Sequence, residues 1–224
     1  SKIDIPPKIF MLQPNKLSSI NFLSSLDMKA EDIFHIFELA SNFKNKKLEL
    51  NFRNKVLGLI FDKSSTRTRV SFQVAMSRLG GHTIDLNPNT SQIGRGEPIK
   101  DTARVLSRYC DVLAIRTFKH TDIEEYAKWS SKPVINALTD LEHPCQALAD
   151  FLTILEEFGK FKKLTLTYIG DGNNVANSLI LCGALLGVKI RIACPKGYEP
   201  HPNVIKKANA VSYTHLTLPT RLPV

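Results

Sequence analysis

Cysteine is scarce in this sequence, and the four that occur fit neither a disulfide scaffold nor a metal site. No two of them form a C-x-x-C pair, and three lie within apolar runs, which favours reduced, buried thiols. The cysteines are Cys110, Cys145, Cys182 and Cys194. From this pattern we expect neither a bound metal nor a structural disulfide.

Long apolar runs are also missing. None approaches the ~20 residues that a membrane span requires, and the N-terminus lacks the basic, apolar and small-residue order of a secretory signal. The net charge is +9, yet the basic residues are dispersed, and no basic run is interleaved with aromatic side chains. The composition predicts a cytoplasmic globular protein that binds neither membrane nor nucleic acid, and the positive charge weakly supports an anionic ligand.

Strand-like and helix-like segments alternate along the chain, which is typical of parallel α/β proteins. We predict the α/β class with two doubly wound parallel-sheet domains over residues 1–158 and 159–210, the second of them incomplete. The predicted strands are Val56–Phe61, Thr83–Leu86, Asp111–Thr117, Pro133–Leu138, Leu164–Ile169 and Val188–Cys194. The predicted helices begin near Asp27, after Thr66, at Lys100, at Thr121, at Glu142 and at Val175.

The segment Lys63–Arg69 directly follows the apolar strand Val56–Phe61 and occupies the first turn of the next helix. The first N–H groups of a helix have no internal partner and carry the positive end of its dipole. Ser and Thr hydroxyls add donors, and Arg67 adds a planar fork suited to phosphate. The segment therefore predicts an anion site, although an ordinary Ser/Thr cap with a solvated basic turn remains an alternative.

Arg116 closes the predicted strand Asp111–Thr117. The carboxyl ends of parallel strands face the ligand crevice, so we expect Arg116 to point toward the same edge as the 65–68 loop. The alternative is a surface arginine that merely ends the strand.

His143 and Gln146 lie three residues apart at the start of a helix, so both can face one ligand. His143 could instead serve only as a helix cap. Cys145 beside it suggests a Cys/His nucleophile pair, but adjacent helical residues face different directions. We therefore assign Cys145 to the core.

The turn Gly170–Asn174 resembles a dinucleotide fingerprint in which Val175 replaces the third glycine. The next strand ends in Ala193-Cys194, where a ribose-binding acid is expected, and this disfavours NAD. Asn173 and Asn174 then either hold the polar head of a small substrate or shape the turn.

Five motifs in this order resemble the carbamoyltransferase family, from about Asn21 to about Lys207. They are Ser65–Phe72, Asp101–Arg108, Arg116-Thr117, His143–Asp150 and, most like the ornithine-using members, Gly170–Asn174 with Pro195–Pro200. The family often has Phe-Glu-Lys before the anion loop, where this chain has Phe61-Asp62-Lys63, a conservative departure.

The resemblance implies a carbamoyl phosphate-binding domain over residues 1–158 and the start of an ornithine-binding domain over residues 159–210. It assigns phosphate binding to Ser65, Thr66, Arg67 and Thr68. It implies transfer of the carbamoyl group to the side-chain amine of L-ornithine, giving citrulline and phosphate, with no metal or cofactor.

The resemblance also assigns the remaining site residues. Arg116 contacts the phosphate and carbonyl oxygens, His143 the carbonyl oxygen, and Gln146 the carbamoyl nitrogen. Gln92 reaches the neighbouring subunit's site in a homotrimer, and Asn174 contacts ornithine. The positive groups Arg67, Arg116 and His143 stabilise the oxyanion and the departing phosphate.

The family's Ser-Met-Gly segment and His-Cys-Leu-Pro loop do not occur in the chain, and residues 211–224 resemble translated adapter sequence. We therefore expect a truncated fragment that is inactive alone, with a non-native tail over 211–224. The alternatives are a carbamoyltransferase for aspartate, N-acyl-ornithine or putrescine, and an inactive phosphate-binding module.

Overall fold

The computed structural model describes residues 17–45, 50–87 and 96–211, which form two compact units. The four-stranded unit comprises Ile20–Leu23 and Leu39–Asp140. The two-stranded unit comprises the described parts of Ser1–Ser19, Ser24–Glu38 and Leu141–Val224. The domain boundaries proposed from the sequence stay a prediction.

Helices and strands alternate along the chain. The strands are β1 (Val56–Phe61), β2 (His82–Leu86), β3 (Val112–Arg116), β4 (Val134–Leu138), β5 (Thr165–Ile169) and β6 (Lys189–Ala193). The helices are α1 (Ala30–Lys44), α2 (Arg67–Arg78), α3 (Ile99–Leu106), α4 (His120–Trp129), α5 (Pro144–Phe158), α6 (Asn174–Leu186) and α7 (Pro202–Val211). All strands pair in parallel, which confirms the predicted α/β class.

The sheet of the four-stranded unit has the order β2-β1-β3-β4. Strand β1 is buried from Leu57 to Phe61 because it lies inside the sheet and is covered on both faces, as its unbroken apolar run predicts. The chain winds to one side of β1 to form β2 and to the other side to form β3. The carboxyl ends of β1 and β3 therefore flank a topological switch point, where open α/β sheets bind ligands.

The core of this unit lies on both faces of the sheet. One cluster centres on Ile60, Leu113, Ile115, Ile123 and Val134, and the other on Leu57, Leu59, Phe61, Ala114 and Ala137. The side chains alternate along each strand, so β1 and β3 contribute to both clusters. Both strand ends at the switch point thus rest on packed layers.

The two-stranded unit pairs β5 with β6 and buries most of α6. Four aromatic rings pack together beneath α5, with centroids between 5.8 and 6.4 Å apart. They belong to Phe34, Phe37, Phe151 and Phe161. Aromatic pairs at such separations add stabilisation beyond their buried area.

Several helix boundaries differ from the predictions by one to three residues. A 3-10 turn at Ser25–Asp27, capped by Ser24, precedes α1, so the helix begins at Ala30 rather than at Asp27. Helix α3 begins at Ile99, one residue before the predicted Lys100, and ends at Leu106. Helix α7 was not predicted. None of the helices within the described ranges has both the length and the apolar character needed to span a membrane.

Candidate active site

The loop between β1 and α2 carries the predicted anion-binding residues. Thr66 occupies the N-cap position of α2 with helical backbone angles, and its hydroxyl makes no capping hydrogen bond among the described residues. Ser65 and Thr68 are half-buried, whereas Thr66 and Arg67 are exposed. The Thr66 hydroxyl is therefore not used to cap the helix, contrary to the alternative of an ordinary Ser/Thr cap.

Arg116 lies beside this loop, as predicted. Phe61 and Arg116 are register partners at the ends of β1 and β3, and the N–H of Asp62 donates to the Arg116 carbonyl at 2.8 Å. The Arg116 Nη2 donates to the Ser64 carbonyl at 3.3 Å, and Nη1 lies 3.5 Å from the Thr68 hydroxyl. Its buried Nε has no partner among the described residues, and burial lowers the pKa of the guanidinium. A half-buried cation at the switch point favours an anionic ligand.

Two further cations near the loop are held by acidic partners. Arg69 forms a 3.1 Å ion pair with Asp85 of β2, and its guanidinium lies 5.4 Å from the Phe61 ring centroid. Lys63 pairs with Asp140. These contacts fix both ends of the segment that carries Ser65 to Thr68, while Arg67 stays exposed at the start of α2.

His143 and Gln146 lie at the start of α5. His143 is the N-cap residue and is 9% exposed. Its backbone N–H donates to the buried Ser178 hydroxyl at 2.8 Å. Gln146 is exposed, and its Nε2 donates to Asp150 at 2.9 Å. The helix start thus presents one buried and one exposed polar residue.

Cys145 does not fit the role of a nucleophile. Desolvation raises the pKa of its thiol to about 12, so the thiolate is negligible at neutral pH. The side chain is half-buried rather than fully within the predicted core, and its raised pKa disfavours a Cys/His nucleophile pair.

The sequence left open whether Asn173 and Asn174 bind a substrate or shape the turn before α6, and the structure answers this for Asn173. Asn173 caps α6, because its side-chain oxygen accepts from the N–H groups of Val175 and Ala176 at 3.0 and 3.2 Å. A Cβ at Gly172 would come within 2.3 Å of the Pro200 nitrogen. The glycine therefore permits close approach of another chain segment, which explains the fingerprint-like pattern without a dinucleotide. Asn174 begins the helix.

A family model named aspartate/ornithine carbamoyltransferase, carbamoyl-P binding domain, matches residues 21–156, more than half of the chain. The chain belongs to this family. The family's Asp/Orn binding domain matches residues 162–217.

Several proteins similar to this chain are named ornithine carbamoyltransferase. The chain is 78% identical over 198 residues to the ornithine carbamoyltransferase of Prochlorococcus marinus, covering 88% of this chain and 64% of the relative. The ornithine carbamoyltransferase structure from Pyrococcus furiosus is 47% identical with a TM-score of 0.83, and that from Gloeobacter violaceus is 50% identical with a TM-score of 0.80. These matches cover 88% and 87% of this chain, and 65% of each solved chain. The chain thus spans about 64% of the length of this curated relative.

The predicted site residues fall into two groups, one in each unit. The four-stranded unit holds Ser65, Thr66, Arg67, Thr68 and Arg116. The two-stranded unit holds His143, Gln146 and Asn174, and Gln92 lies outside the described residues. Their catalytic and binding roles stay predictions.

Sequence reasoning missed the polar contacts that hold the segment before α5. Asn177 donates to the Leu141 carbonyl at 2.9 Å, and the Glu142 carboxylate accepts the Ser25 N–H at 3.2 Å. Both side chains are 3% exposed. The available signal was Asn177-Ser178 inside the otherwise apolar pattern of α6, since buried polar groups need partners.

Replacing Glu142 with glutamine is expected to make the chain more stable than the parent. The difference in the free energy of unfolding should grow as the pH rises. Burial raises the pKa of the Glu142 carboxyl above its ordinary 4.5, and hydrogen bonds from Ser24 and Ser25 oppose this only in part. The unfolded chain therefore loses this proton at lower pH than the folded chain, so the free energy of unfolding falls between the two pKa values. The amide cannot ionise and keeps an acceptor.

The measurement is urea unfolding of both proteins at several pH values from acid to neutral. The stability difference should grow above pH 4.5 and level off once the folded carboxyl has ionised. A difference that does not change with pH contradicts the assignment of a costly buried charge.

Proposed function

We propose that the protein to which this chain belongs transfers the carbamoyl group of carbamoyl phosphate to the side-chain amine of L-ornithine. The observation that carries the proposal is the Arg116 guanidinium, half-buried beside the β1–α2 loop at the switch point. The names of the related proteins support ornithine as the acceptor. The protein acts in the cytoplasm, without a metal or cofactor.

The four-stranded unit supplies the donor site. The phosphate lies at the N-terminus of α2, where unpaired N–H groups and the hydroxyls of Ser65, Thr66 and Thr68 can donate to its oxygens. Arg67 and Arg116 add guanidinium donors, whose planar forks match phosphate and can bind it bidentately. As the C–O bond breaks, charge grows on the departing phosphate, and these groups stabilise it.

The two-stranded unit supplies the residues that bind the acceptor and the carbamoyl group. The neutral amine of ornithine attacks the carbamoyl carbon, the new C–N bond forms, and phosphate leaves as the amine releases its proton. His143 stabilises the carbonyl oxygen, Gln146 binds the carbamoyl nitrogen, and Asn174 contacts ornithine. The protein works as a homotrimer in which Gln92 reaches the neighbouring subunit's site.

The test is citrulline formation by the full-length protein from the same source, offered carbamoyl phosphate and one acceptor at a time. The acceptors are L-ornithine, L-aspartate, N-acetyl-L-ornithine and putrescine. We expect turnover with ornithine to exceed that with each of the others. Preference for another acceptor would replace ornithine in the proposal, and the absence of any carbamoyl transfer would overturn it.

Replacing Asn174 with alanine in the full-length protein is expected to raise the KM for ornithine by about tenfold or more, which corresponds to the loss of one hydrogen bond to a charged ligand. The KM for carbamoyl phosphate should stay unchanged. Steady-state kinetics with each substrate varied in turn measures both.

Asn173→Ala is the matched control. It removes the cap of α6 and should cost about 1 kcal/mol of stability, with little change in the KM for ornithine. Equal losses for both substrates in Asn174→Ala would give Asn174 a structural role instead.

A further inference from the structure

A second basic region lies in the four-stranded unit, at the opposite edge of the sheet from Arg116. Helix α3 ends at Leu106 and β3 begins at Val112, so the residues between them lie at the amino edge of the sheet. Arg116 ends β3 and lies at the carboxyl edge. The two regions are separated by the length of the strand.

A cavity of about 350 Å³ opens at this amino edge. It is lined by Arg104, Ser107, Arg108, Trp129 and Ser131. Both arginines are exposed, whereas Ser107 is 4% exposed and bonds to its neighbours. The cavity has the size of a small-ligand pocket, and its lining carries two guanidinium groups without a carboxylate.

Three cations surround the Trp129 ring. The Lys100 Nζ, the Arg104 guanidinium carbon and the Lys128 Nζ lie 4.6, 4.7 and 5.3 Å from the ring centroid. Each is within the range of a cation–π contact. Positive charge is therefore concentrated around the indole ring, beside the cavity.

No ion pair among the described residues neutralises this positive charge. Within the described ranges, Lys100, Arg104, Arg108 and Lys128 form no salt bridge. Lys100 and Arg104 are one helical turn apart, and like charges at that spacing destabilise a helix. An anion bound among them would relieve this repulsion.

We propose that this cavity, lined by Arg104, Arg108 and Trp129, is a second anion site that binds a compact phosphorylated small molecule. Guanidinium forks match phosphate oxygens bidentately, and the hydroxyl of Ser131 at the rim can add a hydrogen bond. A volume of about 350 Å³ suits a small molecule better than an acidic protein surface. The site is separate from the proposed donor site and does not depend on the proposed transferase activity.

Trp129 is the only tryptophan in the sequence, so its fluorescence reports on this cavity alone. The probe is pyrophosphate, titrated into the 224-residue chain carrying Arg67→Ala, which weakens the proposed donor site. Sodium chloride at equal ionic strength is the reference. We expect a saturable change in emission with pyrophosphate and only a small, unsaturated change with chloride.

The paired variant Arg104→Ala/Arg108→Ala should weaken pyrophosphate binding by about tenfold or more, because each substitution removes charge-assisted hydrogen bonds to the ligand. The control Arg78→Ala/Lys162→Ala removes the same charge from exposed positions elsewhere and should bind pyrophosphate as the parent does. Arg104→Lys/Arg108→Lys, which keeps the charge but loses both forks, should show an intermediate loss. If the alanine pair fails to fold, the lysine pair provides the test in its place.

Calorimetry of the same proteins provides a second readout that does not require a change in emission. The proposal is overturned if neither method detects saturable pyrophosphate binding. It is also overturned if chloride reproduces the response, or if the paired arginine variants bind as tightly as the surface control.

Discussion

Replacing Arg67 with alanine is expected to weaken carbamoyl phosphate binding by about 100-fold or more. Hydrogen bonds to a charged group contribute roughly 1.5–3 kcal/mol each, and a guanidinium can donate two of them to one phosphate. Arg67 is the first residue of α2, where the N–H groups already favour an anion. Isothermal titration calorimetry with the full-length protein measures the affinity directly.

Arg78→Ala is the matched control for this change. Arg78 lies in the last turn of the same helix and is exposed, so its loss removes the same charge at the end far from the loop. Both variants should unfold at nearly the same temperature as the parent, and only Arg67→Ala should lose affinity. If Arg67→Ala binds carbamoyl phosphate as tightly as the parent, Arg67 does not bind the phosphate and the loop only begins the helix.

Replacing Phe151 with alanine is expected to cost about 3–5 kcal/mol of stability, the range measured for large aromatic truncations in cores. Phe151 is 0% exposed, and its ring meets that of Phe161 edge-on at 5.8 Å. Phe161 in turn packs on Phe34 and Phe37, so the cavity would open in the middle of the aromatic cluster. Denaturant unfolding measures the loss.

Phe158→Ala on the same helix is the control, because Phe158 is 63% exposed. Its loss should change the free energy of unfolding by no more than about 0.5 kcal/mol, as for most surface substitutions. Similar costs for the two variants would show that the four rings do not form the core of this unit.

The parts of the fold and site that the sequence predicted are those that depend on local pattern. The unbroken apolar run of β1 indicated a strand buried on both faces, and the structure confirms it at Val56–Phe61. Arg116 was placed by a rule of topology, since the ends of parallel strands share one edge. The first inference needs only the composition of one run, and the second needs only the order of the elements along the chain.

The parts that could not be predicted depend on contacts between distant residues. Arg69 and Asp85 become partners only when β2 lies beside β1, and no spacing in the sequence encodes that pair. The same holds for Glu142 and Ser25, which are far apart in the chain. Short elements could not be predicted either. The 3-10 turn at Ser25–Asp27 is too short to show a hydrophobic periodicity.

The order β2-β1-β3-β4 has a consequence for how the chain reaches its native state. Parallel neighbours cannot be joined by a hairpin, so each pairing waits for a complete crossover. Strand β1 has both of its partners downstream, and Leu57 pairs with Val112 only after α2, β2 and α3 have been made. During synthesis the most apolar strand of the sheet therefore emerges first and remains unpaired longest, which makes it the segment most exposed to aggregation and to chaperone binding.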